Sequence, residues 1–316
     1  MKTSTDVSPA RLSEISLWIP PDDVRHHDGT EIPLQTCFFA EPPAAIGRVK
    51  SASSTLHVGS KPIHPVMKVI FTAGLLVALA AGTCWMTNES TPWCIVSILF
   101  PIILFPVLFL YHFDHRCSFV GELGVALFEY RSLSRKVQLK TLIPFSDYAV
   151  LYAEHLNSTG SCSARLEWFD AGMHSRKFLS VESTVLDFTR TTRDQRQLLR
   201  AAEQQWANHL APQLIELWKF KHELQFPLRP DGLLRIADDH IMMERKRTRH
   251  SMLTTDLDRI ILNDGTFTIV SKAARFVTGI RDPERIRIPY SHVGNARALL
   301  MALEFLMSDM DKPLDA

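Results

Sequence analysis

Hydrophobic residues are unevenly distributed along this chain, and two long apolar runs stand out. The run from 66 to 86 contains one charged residue, Lys68, and the run from 93 to 113 contains none. At 1.5 Å per residue, a helix of either length crosses about 30 Å of hydrocarbon. The pattern therefore predicts two membrane spans, at 66–86 and 93–113, rather than one buried hairpin of a soluble fold.

Small residues in the first run and prolines in the second agree with this interpretation. Gly74, Ala78 and Gly82 allow two helix backbones to approach closely, so they are the predicted packing residues of the spans. Pro101 and Pro106 each remove a helix hydrogen bond, which membrane helices tolerate because neighbouring groups satisfy the freed carbonyl. The predicted transmembrane hairpin occupies 64–115.

Charges beside the runs predict their orientation. Basic residues stand before the first run and after the second, whereas the loop 87–92 contains Glu89 and neither Lys nor Arg. Because Lys and Arg accumulate on the cytoplasmic side, both termini are expected to be cytoplasmic. The sequence thus predicts a multi-pass integral membrane protein, of a bacterial inner membrane, with membrane lipid among its partners.

The pattern changes on both sides of these runs. Residues 1–63 are rich in Pro and Ser and show no sustained period, which predicts a mostly disordered cytoplasmic tail. After residue 116, alternating apolar positions predict strands, and helical spacing from Leu198 to Trp218 predicts a long helix. We expect this helix to pack on the preceding strands, with a stalk or coiled-coil dimer as the alternative.

Strand signals return in the last third of the chain. Asp231-Gly232 and Asp264-Gly265 are dipeptides typical of tight hairpin turns. A final helix is predicted from Leu299, Leu300 and Leu303, which share one face.

The region after residue 116 resembles itself and, more loosely, a known family. "LGVALFEYR" and "PFSDYAVLYAEH" correspond to "DHIMMERKR" and "TTDLDRIILND", which makes Asp147 and Asp256 equivalent. With "DGTFTIV" and "IPYSHVGNARALLMAL" added, the second half resembles bacterial PH-like (pleckstrin-homology-like) membrane-associated domains of unknown function, best over 232–307. The resemblance implies an α+β fold: the transmembrane hairpin plus cytoplasmic antiparallel-sheet PH-like barrels closed by helices. One unit is expected at 116–226 and a second at 227–316.

Composition and motifs limit the possible functions. The chain has 22% charged residues and a net charge of +1, so nucleic acid is not an expected partner. A phosphate-binding glycine loop and a nucleophile elbow are both missing from the sequence, so neither enzymatic activity nor a cofactor is predicted. His112, Asp114, His115 and Cys117 are zinc-ligand types, but polar groups that end a span explain them better than a metal site.

One basic run is the candidate binding site. Arg245, Lys246, Arg247 and Arg249 lie between two predicted strands, as a solvated hairpin tip or as a surface for a lipid headgroup or peptide. We therefore predict a membrane-tethered, non-enzymatic scaffold or sensor that binds a protein or a lipid headgroup. The alternative is an accessory subunit of a larger membrane complex, assembled through its transmembrane helices. A protein partner or a homo-oligomer is expected in either case.

Overall fold

The computed structural model describes residues 17–57, 114–131, 136–158, 161–184, 190–246, 248–277 and 280–310. The first unit has a four-stranded sheet, a three-stranded sheet and a helix. Their order is β1 (Val49–Ser54), β2 (Asp114–Gly121), β3 (Gly124–Arg131), β4 (Lys136–Pro144), β5 (Val150–Ser158), β6 (Ser161–Phe169), β7 (Arg176–Thr184) and α1 (Arg190–Lys221).

The second unit repeats this order. Its elements are β8 (Glu223–Leu228), β9 (Gly232–Ala237), β10 (His240–Arg245), β11 (Thr248–Leu253), β12 (Leu257–Asn263), β13 (Thr266–Val277), β14 (Ile280–Pro289) and α2 (Ala296–Met310). A short 3-10 turn joins the two sheets in each unit, Phe145–Asp147 in the first and Thr254–Asp256 in the second. Asp147 and Asp256 therefore hold equivalent positions, as the sequence comparison predicted.

The predicted fold class is wrong. The described residues form four open antiparallel sheets, and no closed barrel is present among them. Within this part of the chain, β4 does not pair with β5 and β11 does not pair with β12, because the 3-10 turns redirect the backbone between the sheets. Alternating apolar positions indicate strands, but they do not show whether two sheets join along an edge.

The predicted membrane localisation is also corrected. Among the described residues, no helix is both long enough and apolar enough to cross a bilayer. Helix α1 has 32 residues but carries charges along its length, and α2 has 15, fewer than a span requires. The predicted spans at 66–86 and 93–113 lie outside the described residues, as do Gly74, Ala78 and Gly82.

Part of the segment predicted to be a mostly disordered tail, residues 17–57, is folded onto the first unit. Residues 17–57 supply β1, which pairs with β2 through contacts such as Ala52 with Phe119. Phe38, Phe39 and Ile46 of this segment are fully buried in a core shared with β2 and β3. The short apolar runs gave no periodic signal because the segment packs as irregular backbone around a single strand.

Helix α1 packs on the sheets rather than forming a stalk. Leu199, Ala202 and Trp206 are buried against the core of the first unit, together with Trp168 of β6. Pro212 lies inside α1, and the helix continues through it to Lys221. Beyond this proline, Leu214 and Trp218 reach the core of the second unit, so one helix serves both cores.

Candidate functional site

The predicted basic residues lie at the tip of the β10–β11 hairpin. Arg245 ends β10, Arg249 belongs to β11, and Arg247 between them lies outside the described residues. Nζ of Lys246 lies 2.7 Å from the Asp231 carboxylate, and Nε of Arg249 lies 3.6 Å from the carboxylate of Glu244.

These contacts reduce the positive charge that the hairpin tip can offer to an anionic ligand. The hydrogen bond to Asp231, with its charge, raises the pKa of Lys246. Arg249 also donates from Nε to the Met242 sulfur at 3.0 Å. The fold thus brings Arg245, Lys246 and Arg249 together, but two of the three already have carboxylate partners.

Three of the four zinc-type residues noted in the sequence lie in β2. His112 lies outside the described residues, whereas His115 and Cys117 belong to β2. Cys117 is fully buried, and burial raises the pKa of its thiol to about 12. A thiol held protonated in this way is a poor metal ligand.

A second candidate is an apolar groove between α1 and α2, which we call the interhelical groove. Its volume is about 180 Å³. The lining comprises Leu214, Ile215 and Trp218 of α1, Leu224 of β8, Met301 and Phe305 of α2, and the alanines Ala211, Ala298 and Ala302. Ile215 is 42% exposed and Phe305 50% exposed, so the groove opens to the surface.

One hydrogen bond, from a tyrosine held by ring stacking in the second unit, holds α1 against that unit and so helps to fix one wall of the groove. The Tyr290 hydroxyl donates to Oε1 of the buried Glu203 at 2.5 Å, and the Tyr290 ring stacks on Phe267. Burial, followed by the nearby charge of Glu203, raises the pKa of Tyr290. The tyrosine therefore remains a hydrogen-bond donor at any ordinary pH.

Asn295 fixes the other wall, because it immediately precedes α2. Its side-chain oxygen accepts hydrogen bonds from the Leu151 backbone N–H at 2.8 Å and from the Trp206 indole N–H at 2.9 Å. Its side-chain amide donates to the Ala149 carbonyl at 3.1 Å. Asn295 also has φ +59°, a conformation that Asn adopts more readily than most residues. Both walls are thus set before any partner arrives.

The groove can bind apolar groups but has little capacity for chemistry. Its lining side chains provide no nucleophile and no acid or base, and within the described residues no group of His, Cys, Asp or Glu could hold a metal ion. The sequence predicted the faces containing Leu214, Trp218 and Leu303 but did not single out Ile215 or Phe305. The sequence did contain one signal for the groove. The apolar face of α1 continues past Pro212 to Trp218, which lies beyond the core of the first unit, so another part of the protein had to cover it.

No protein-family model and no curated protein matches this chain. The resemblance to PH-like domains stays a prediction, and the function rests on the geometry of the described residues.

Proposed function

We propose that this protein is a non-enzymatic scaffold that binds an amphipathic helix of a partner protein in the interhelical groove. The observation that carries the proposal is the groove itself, an apolar channel between two helices whose positions are fixed by Tyr290 and Asn295. A third helix fits such a channel by inserting its side chains between those of the two walls.

The properties of the groove favour a protein over a small molecule. Its volume of about 180 Å³ is below that of pockets that enclose a drug-sized ligand, and apart from the Trp218 indole its lining has no polar side chain to orient one. Protein interfaces instead combine an apolar centre with a charged rim. Here Glu216 and Lys219 of α1 and Glu304 of α2 are exposed charges on the two helices.

Charge on these helices indicates the polar face of the partner. Lys219 lies 3.6 Å from Glu216, so these two charges satisfy each other. Glu304 has no ion pair within the described part of the chain. We therefore expect the partner helix to present apolar residues at three- and four-residue steps and a basic residue facing Glu304.

Site-specific crosslinking tests the proposal. A photoreactive phenylalanine analogue replaces Ile215 in one variant. In a second it replaces Phe178, which is exposed on β7 and does not line the groove. Irradiation in cells of the source organism should join the Ile215 variant to one amphipathic segment of one partner, identified by mass spectrometry. A synthetic peptide of that segment should then bind the purified chain.

A matched pair of substitutions makes the result specific. Ile215→Glu should lower the affinity for the peptide roughly tenfold or more, because it places a charge in the apolar groove. Leu217→Glu is the control, since Leu217 is also 42% exposed on α1 but does not line the groove. Crosslinks only to a second copy of this chain, or equal yields from positions 215 and 178, would overturn the proposal.

A further inference from the structure

A polar pocket lies where the second sheet of the first unit meets the second unit. We call it the junction pocket, and its volume is about 140 Å³. Strands β5 and β6 contribute Tyr152, Glu154, Arg165 and Glu167, and the second unit contributes Arg229, Ser291 and His292. It shares no residue with the interhelical groove, so an inference about it is independent of the proposed function.

Arg229 is held in a fixed orientation at the centre of this pocket. Its guanidinium lies 3.9 Å from the centroid of the Tyr152 ring and 5.2 Å from that of Phe169. Nη2 of Arg229 donates to Glu167 at 2.5 Å, and its backbone N–H donates to the carbonyl of His292 at 2.8 Å. A guanidinium stacked on a ring keeps its N–H groups in the ring-parallel plane, where they can bind an anion.

Positive charge exceeds negative charge around this arginine. The buried Glu167 lies 2.5 Å from Nη2 of Arg165 and 3.9 Å from Nη1 of Arg176, in addition to Arg229. Burial alone would raise the pKa of Glu167, but the hydrogen bond and charge of Arg229, with the other two arginines, keep it below its ordinary value. One carboxylate therefore faces three permanent cations.

Two buried polar atoms of the pocket have no hydrogen-bond partner among the described residues, and a partly exposed carboxylate beside them forms no ion pair there. Nε of Arg165 and Nδ1 of His292 are buried, and neither has a hydrogen-bond partner among the described residues. Glu154 lies directly opposite Arg165 in the β5–β6 register, yet within the same residues it forms no ion pair, because Arg165 turns to Glu167. Buried polar groups are nearly always satisfied in native proteins, so unsatisfied ones at a cavity indicate that a water or a ligand occupies it.

We propose that the junction pocket binds a carboxylate that has an N–H group beside it, such as the C-terminal residue of a peptide or an N-acylated amino acid. The carboxylate takes the free N–H groups of Arg165 and Arg229 and the Ser291 hydroxyl, and the ligand N–H donates to Glu154. The lining itself carries two arginines and two glutamates, so its charges match a carboxylate that faces the arginines and has an N–H group facing Glu154. Glu154 would repel a phosphoryl dianion more strongly than a carboxylate because the dianion carries twice the charge, and the volume admits only a small group.

NMR titration with defined probes tests this inference. The probes are N-acetylglycine, acetate, which lacks the N–H, N-acetylglycinamide, which lacks the carboxylate, and inorganic phosphate. N-acetylglycine should shift the backbone signals of Arg229, Ser291 and His292 saturably, more tightly than acetate, while the amide should have no effect. Acetyl-triglycine then separates the two sources: tighter binding than N-acetylglycine indicates a peptide C-terminus, and equal binding indicates a free acylated amino acid.

Three variants assign the contacts. Arg165→Gln should lower the affinities for N-acetylglycine and for acetate by the same factor, roughly tenfold, because both ligands lose a charge-assisted hydrogen bond. Glu154→Ala should remove only the advantage of N-acetylglycine over acetate. Arg176→Gln is the control, since Arg176 contacts Glu167 but does not line the pocket, and it should change neither affinity more than about twofold.

Several results would overturn the inference. These are the absence of saturable N-acetylglycine binding to the folded wild-type chain, phosphate binding tighter than every carboxylate, and unchanged binding by a folded Arg165→Gln variant. Arg229 is left unsubstituted, because its loss would expose the buried Glu167 charge and destabilise the fold.

Discussion

The two units of this protein have the same order of strands and helix but are closed in different ways. In the second unit, α2 packs on its own sheets and places Ala298 in the core of the first unit, whereas α1 of the first unit continues past Pro212 and packs Leu214 and Trp218 against the core of the second. The first unit also contains a buried polar layer, in which both ring nitrogens of His27 contact the hydroxyls of Ser51 and Ser118. In the described part of the second unit, no histidine is buried to this degree.

This difference separates what the fold requires from what is particular to each unit. Strand order and the 3-10 turns are common to both, so they belong to the architecture. The long helix, the groove that it forms with α2 and the junction pocket occur once each in the described residues. Features that are not repeated between the units are therefore the better candidates for function.

The largest expected loss of stability comes from truncating Trp206, the large side chain that holds α1 in the core of the first unit. Trp206→Ala should lower the free energy of unfolding by about 4 kcal/mol, because it leaves a large cavity in the core of the first unit. Since α1 contributes to both cores, we expect one unfolding transition for the whole chain, measured by circular dichroism in urea. Phe226→Ala, in the core of the second unit, should move the same transition. Two separate transitions would show that the units fold independently.

The buried polar layer of the first unit should make the stability of the whole chain sensitive to acid. Burial, followed by the charge of His26, lowers the pKa of His27 from 6.5 to about 3. Because the folded pKa is the lower one, the stabilising effect is complete above pH 6.5 and is lost as the pH falls from 6.5 towards 3. His27 alone should make the chain roughly 3 kcal/mol less stable at pH 4 than at pH 7.

Urea denaturation at several pH values checks this dependence. His27→Gln should be less stable at pH 7, because it loses a bond to one serine, but its stability should vary less between pH 6.5 and 4. His250→Gln is the control, since His250 is exposed on β11 and should leave the wild-type slope unchanged. An unchanged slope in His27→Gln would assign the acid sensitivity to other groups.

Local patterns in the sequence predicted the elements better than their assembly. Alternation and turn dipeptides located most strands, and both residues of Asp264-Gly265 have the positive φ expected of a tight hairpin. The position of β1 was missed, because its partner β2 lies 60 residues further along the chain and no local period records that pairing. Arg229 was passed over for a related reason: a single arginine in "PLRPDG" shows its role only once Tyr152 and Glu167 are folded against it.

Loss of the hydrogen bonds by which Asn295 joins the two units should lower the stability less than loss of a core side chain. Asn295→Ala removes the acceptor for Leu151 and Trp206 and the donor to Ala149, and it places alanine at φ +59°. We expect a loss of about 2 kcal/mol in the free energy of unfolding. Asn208→Ala, on the exposed surface of α1, should cost less than about 0.5 kcal/mol. Equal losses would mean that Asn295 does not join the units.

The smallest effect compares the same substitution in a hairpin of each unit. Gly265 has φ +67° with nothing within 4 Å of an added Cβ, so Gly265→Ala should cost about 1 kcal/mol through backbone strain alone. Gly172, in the β6–β7 turn, has no positive φ, and an added Cβ meets only the side chain of the exposed His174. Gly172→Ala should therefore cost less than about 0.5 kcal/mol, because His174 can move aside. Gly265→Asn should recover most of the stability lost in Gly265→Ala, since Asn tolerates positive φ. Equal losses for the two alanine variants would contradict a difference in backbone strain between the two hairpin turns.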